Sequence, residues 1–106
     1  MIDFIIVLTT FGNAEDAAKA ARALVEERLA ACANIVPNVR SIYRWEGKIQ
    51  DEAEVLCILK SRRELFPRLK ERLTALHPYE VPEVLALEIA DGAEKYLAWL
   101  KTETGA

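Results

Sequence analysis

The chain has 106 residues, of which 52% are hydrophobic and 29% charged, with a net charge of −3. Those values fit a single domain over residues 1–106 that is large enough to bury a core. No long run of like charge marks a nucleic-acid partner, and the apolar opening "FIIVL" has no basic leader and is too short for a signal peptide or a membrane span. A cytoplasmic protein is expected.

Phe4 to Leu8 is a short apolar run rich in β-branched residues and reads as a buried strand. Gly12 stops it, and Asn13 is placed to cap a helix over Ala14 to Ala31. The helix stripe is Ala17, Ala18, Ala21, Leu24, Val25 and Leu29. A long hairpin follows, with Cys32 to Trp45 outward, a turn at Glu46-Gly47 and Lys48 to Lys60 returning. Near its tip Val39, Ser41, Tyr43 and Trp45 share one face, and Arg40, Ile42 and Arg44 the other. Pro37 cannot donate to a ladder, so this strand must lie at an edge or carry a bulge. "SRRE", Ser61 to Glu64, has the pattern of a capping box before a helix striped by Leu65, Leu69, Leu73 and Leu76. Pro67 argues that this helix starts a few residues later. "HPYEVP" ends it, Glu83 to Ala90 reads as a strand, and "AEKYLAWLKT" reads as a terminal helix.

The order is α+β and ferredoxin-like: βαββαβ plus a C-terminal helix, with an antiparallel sheet and a long hairpin between the second and third strands. An antiparallel sheet with one wet face alternates apolar and polar residues. "FIIVL" and "VLCIL" are apolar throughout. Helices cover one sheet face, so the other calls for a second copy of the chain, and a homo-oligomer is expected.

His77 is the chain's single histidine. In the last turn of a helix it serves as a terminator, with Pro78 blocking continuation. Imidazole also suits copper, zinc and nickel, so the alternative is a metal ligand, with Glu83 beyond the rigid Pro82 as partner and Glu80 as a second choice. One histidine per chain cannot close a site of three or four ligands without carboxylates or neighbouring chains. Tyr43 and Trp45 on one hairpin face are expected either to pack between subunits or to form a ligand surface at subunit clefts. Lys60 and Arg62 read as solvated charge, with anion binding as the alternative. Cys32 and Cys57 read as structural thiols. A two-residue turn places Cys57 opposite Val36, an offset from Cys32 of roughly 13 Å, too far for a disulfide. No nucleophile, phosphate-loop or zinc-protease motif is present, so no enzyme and no required cofactor are expected.

The blocks "LAACANIVPNVRSIYRWEGKIQDEAEVLCILKSR", "LHPYEVPEVLAL" and "YLAWL" closely resemble the CutA divalent-ion tolerance family over essentially the whole chain. The resemblance implies a ferredoxin-like protomer, a homotrimer, tolerance of copper and other divalent cations, and no established catalysis. It also implies a metal region at the "HPY…PE" block. Some members carry a cysteine at the end of the first strand. Here that place reads Thr9-Thr10, which favours a harder or weaker cation than copper. The functional expectation is a trimeric divalent-cation tolerance protein that binds copper or another divalent metal. The alternative is a signalling or scaffold trimer, similar in architecture to the nitrogen-regulatory PII proteins, with a small ligand or protein partner at subunit clefts.

Overall fold

The computed structural model describes residues 3–105. The elements are β1 (Phe4–Phe11), α1 (Ala14–Glu26), β2 (Cys32–Trp45), β3 (Lys48–Arg62), a 3-10 turn (Arg63–Leu65), α2 (Phe66–Leu76), β4 (Leu85–Glu88) and α3 (Glu94–Thr102). The strands pair antiparallel in the order β2-β3-β1-β4. This is the ferredoxin-like arrangement, with β2 at an edge as Pro37 requires. The hairpin extends well past the rest of the sheet, which makes the chain 44 Å long but only 25 and 22 Å across.

Asn13 caps α1 with its side chain accepting from the Asp16 N–H at 2.8 Å. The helix ends at Glu26, five residues earlier than the expected Ala31. Arg28 takes a left-handed conformation at φ 62, and the Leu29 and Ala30 N–H groups both turn back to the Leu24 carbonyl. That closure satisfies helix-end carbonyls and steers the chain into β2. Ala18 and Val25 fall outside the buried stripe, which is instead Ala17, Ala20, Ala21 and Leu24.

The hairpin turn has positive φ at both Glu46 and Gly47, the geometry that matches strand twist. A bulge between Val36 and Val39, with Asn38 left-handed, shifts the register by one. Cys57 therefore pairs with Ile35 rather than Val36, and both cysteines remain free. The capping-box reading of Ser61 is corrected too. Ser61 stays in β3, and its buried hydroxyl donates to the Leu29 carbonyl at 2.6 Å. The second helix starts at Phe66 with Pro67 in its first turn, where a missing N–H costs nothing. The last strand is four residues long rather than the eight of Glu83 to Ala90.

Burial alternates along β1 and along the inner half of β3 from Val55 onward. Ile5, Val7, Phe11, Val55, Cys57 and Leu59 point beneath α1 and α2 and meet Leu24, Leu69 and Leu73 in the core. A fully buried leucine there contributes about 1.5–3 kcal/mol relative to an exposed one. The opposite face carries Ile6, Leu8, Leu56 and Ile58, joined across the ladder by Leu85 and Leu87 of β4. Leu85 and Leu87 are 54% and 50% exposed, so this face is apolar and open.

The C-terminal segment is pinned by two arginines. Arg28 donates to the Gly105 and Thr102 carbonyls, each at 2.6 Å, and Arg62 to Thr104 Oγ1 and O at 2.8 and 2.9 Å. Lys60 Nζ lies 5.7 Å from the centre of the Tyr96 ring. Neither Lys60 nor Arg62 is simple solvated charge: both hold the C-terminal segment against β3.

Candidate functional site

Pro78 stops α2, and His77 leaves it in extended backbone at φ −78, ψ 134, with its N–H still bonded to the Leu73 carbonyl at 2.9 Å. The imidazole folds back onto the end of β1. Nε2 lies 2.7 Å from the Thr10 carbonyl oxygen, and Nδ1 is 3.1 Å from the Tyr79 N–H. A carbonyl only accepts, so the proton sits on Nε2, and Nδ1 is the acceptor. The ring stacks on Phe11 at 4.1 Å and 14°, and His77 is only 7% exposed. Burial pushes its pKa below the ordinary histidine value, against the opposing pull of the Thr10 carbonyl, Asp16 and Glu54. The neutral ring is a joint between strand and hinge.

The hinge that His77 holds forms one wall of a groove of about 600 Å³. The other wall is the outer half of the hairpin. Because Ser41 pairs with Glu52 and Val39 with Glu54, these residues share a face, which also carries Leu56 and Ile58. The groove is thus the continuation of the open apolar face, with carboxylates replacing leucine and isoleucine. Three aromatic residues line it: Tyr43, Trp45 and Tyr79. So do four carboxylates: Glu52 and Glu54 from β3, and Glu80 and Glu83 from the hinge. Tyr79 Oη donates to Glu54 Oε2 at 2.8 Å, and Tyr43 Oη to Glu52 Oε2 at 3.4 Å. Burial first, and then the hydrogen bond and charge of Glu54, push the Tyr79 pKa up. Burial, then the charges of Glu52 and Glu54, push up that of Tyr43. Both phenols are protonated donors at neutral pH.

Among the described residues, no basic side chain lines the groove, and none of its four carboxylates is in an ion pair. Of the candidates read from the sequence, Tyr43, Trp45, Glu83 and the second-choice Glu80 meet here. His77 stands behind Tyr79, with both ring nitrogens already bonded. Of the threonine pair, Thr10 lines the groove. Thr9 is fully buried on the helix side, and its hydroxyl has no partner. Glu52, Glu54 and Tyr79 were not singled out from the sequence. Pairing outward from the Glu46-Gly47 turn would have put Glu52 beside Ser41, and the period of two in "EAE" would have added Glu54. Tyr79 had no such signal, because it reaches Glu54 only through the fold.

What this arrangement can do is limited in two ways. Among the described residues no three His, Cys, Asp or Glu side chains gather closely enough to hold a metal ion. The carboxylates of one chain are spread along the groove rather than focused on a point. Burial also pushes the Cys57 thiol up to about 11, the reverse of what activates a nucleophile. Among the described residues, no helix is long and apolar enough to cross a membrane.

Comparison with known proteins places the chain in a family. The family described as "CutA1 divalent ion tolerance protein" matches residues 5–103. The divalent-cation tolerance protein CutA of Thermus thermophilus is 54% identical over 100 residues, covering 94% of this chain and 97% of that relative. A chloroplastic CutA protein of Arabidopsis thaliana is 50% identical, but this chain spans only 55% of its length. Relatives with this domain therefore do not share one compartment. Among solved structures, the Oryza sativa CutA1 crystal structure superposes with a TM-score of 0.95 at 47% identity, covering 98% of this chain and 95% of that one. The Thermus thermophilus structure gives 0.93 at 53%, covering 96% and 99%. This chain belongs to the CutA1 divalent ion tolerance protein family.

Proposed function

We propose that this protein serves divalent-cation tolerance as a cytoplasmic homotrimer, without catalysis, binding divalent cations weakly at the acidic groove. The open apolar sheet face supports assembly, because exposed leucine and isoleucine on this scale call for a protein cover. The number three comes from the resemblance to the family. The observation that carries the cation reading is a groove with four carboxylates and no basic side chain among the described residues. Glu83 is a ligand in this reading, as is Glu52. His77 supports the wall behind Tyr79, and its Nδ1 would become a ligand only by giving up the Tyr79 N–H. Because one chain holds no closed cluster, the coordination would be completed by water or by a neighbouring copy. Oxygen donors of this kind suit manganese and other hard cations at least as well as copper.

Native mass spectrometry of metal-free protein, before and after adding copper(II) or manganese(II), tests this. The expected result is a three-chain assembly that takes up metal, with uptake reduced by Glu83→Gln and by Glu52→Gln. A monomer, or uptake unchanged in both variants, would refute it.

The aromatic wall of the groove favours a second reading, in which a small organic ligand is bound at subunit clefts. Tyr43 and Trp45 then contact the ligand directly.

A further inference from the structure

The groove is shaped for something larger than a metal ion. Its volume of about 600 Å³ lies within the range of small-molecule sites. Its carboxylates sit on opposite walls, Glu52 and Glu54 on the hairpin and Glu80 and Glu83 on the hinge, and do not converge on one point. Between them stand the rings of Tyr43, Trp45 and Tyr79, surfaces that attract organic cations through the negative faces of their π systems.

Glu54 is the most telling residue. It is only 9% exposed, and Tyr79 Oη satisfies one of its carboxylate oxygens. No cation offsets its charge among the described residues, and the side chain lines the groove. A carboxylate buried this deeply is costly without a positive partner. Every lining residue is acidic, aromatic, aliphatic or a small hydroxyl. The missing component is positive charge, separated by an apolar spacer long enough to reach both walls.

We infer that the groove binds a linear aliphatic diamine or polyamine, with one ammonium group between Glu54 and Glu52, the other at Glu83, and the methylene chain along Trp45 and the tyrosines. Such a ligand is itself a divalent cation at neutral pH. It supplies three donors at each end for carboxylate oxygens and apolar surface for the rings between them. The inference rests on the groove being the ligand site of the assembled protein, and it names the ligand class that the walls fit.

Calorimetric titration of the purified, metal-free oligomer with putrescine at low ionic strength tests it, with butylamine and butanediol as single-charge and uncharged controls. Putrescine should bind, butylamine about tenfold or more weakly, and butanediol not at all, as the loss of one and then both charge-assisted contacts requires. Glu54→Gln keeps an acceptor for Tyr79 and should fold, yet weaken putrescine about tenfold, as should Glu83→Gln. Trp45→Leu should weaken it less while preserving the preference for two charges. Manganese(II), titrated into the same variants, separates the two ideas. Manganese binding that depends on Glu83, with no putrescine binding, would leave the groove as a cation site and overturn the diamine. If neither binds, both ideas fall. Putrescine affinity unchanged in both glutamate variants would also overturn the inference.

Discussion

The two faces of the sheet have nearly the same composition and very different surroundings. Ile5, Val7 and Leu59 lie under the helices at 1% exposure or less, while Leu85 and Leu87 on the other side are half exposed. Propensity cannot separate them, because β1 is apolar at every position from Phe4 to Leu8. The first face is completed by its own chain, and in the proposed assembly the second is completed by other copies. The groove lies where that second face changes character, from Leu56 and Ile58 to Glu54 and Glu52 along one side of β3. In the proposed function, packing between copies and ligand binding share this surface, and a change in one should reach the other.

The sharpest way to break the comparison is to damage each face separately. Leu59→Ala, on the helix side, leaves a cavity in a closed core and should cost about 2–5 kcal/mol in chemical denaturation. The loss should be the same at every protein concentration at which the assembly state is unchanged. Leu87→Glu, on the open side, should leave the helical circular dichroism intact but disperse the assembly, so its unfolding midpoint drops below that of the wild type and no longer depends on protein concentration, whereas the wild-type midpoint falls on dilution. A Leu87→Glu variant with wild-type assembly would mean that this face is not covered by other copies.

The His77 joint adds a pH dependence. Its folded pKa is depressed, so the folded state favours the neutral ring. The associated stability is fully present above the unfolded value of about pH 6.5 and is lost as pH falls through the lower folded value. Protonation removes the Nδ1 acceptor for the Tyr79 N–H and so loosens the groove wall. Thermal melts between neutral pH and pH 5 should show a larger drop for the wild type than for His77→Gln. An equal drop would assign the acid sensitivity to other groups. The smallest expected effect is at Thr9, whose buried hydroxyl lacks a partner. Thr9→Val keeps the shape and should leave stability unchanged or raise it by up to about 1 kcal/mol. A clear loss would mean that the hydroxyl is satisfied in the assembled protein.

Much of the fold was legible because local rules and topology agree. Pro37 called for an edge position or a bulge in β2, and the strand has both; the Glu46-Gly47 turn set the pairing of the outer hairpin. The expectations that failed concern side chains with two possible partners. Ser61 has the spacing of a cap, yet its hydroxyl goes to Leu29, brought close only when α1 ends early at Arg28. His77 shows the same limit at the site. Its spacing before Pro78 predicted the end of the helix, but nothing local could show that the carbonyl of Thr10, 67 positions away in sequence, accepts the hydrogen bond from its Nε2–H. The carboxylate wall was partly readable through strand alternation. The Tyr79–Glu54 contact that ties hinge to hairpin was not, because it depends on how the hinge crosses the end of the sheet.

Sedimentation velocity on the untagged chain at micromolar concentration tests the central claim most directly, because the open face and the groove both derive their meaning from assembly. A single species of three-chain mass, dispersed by Leu87→Glu, is the predicted result. A folded monomer that stays monomeric as concentration rises would contradict the account, since Leu85 and Leu87 would then face water by design.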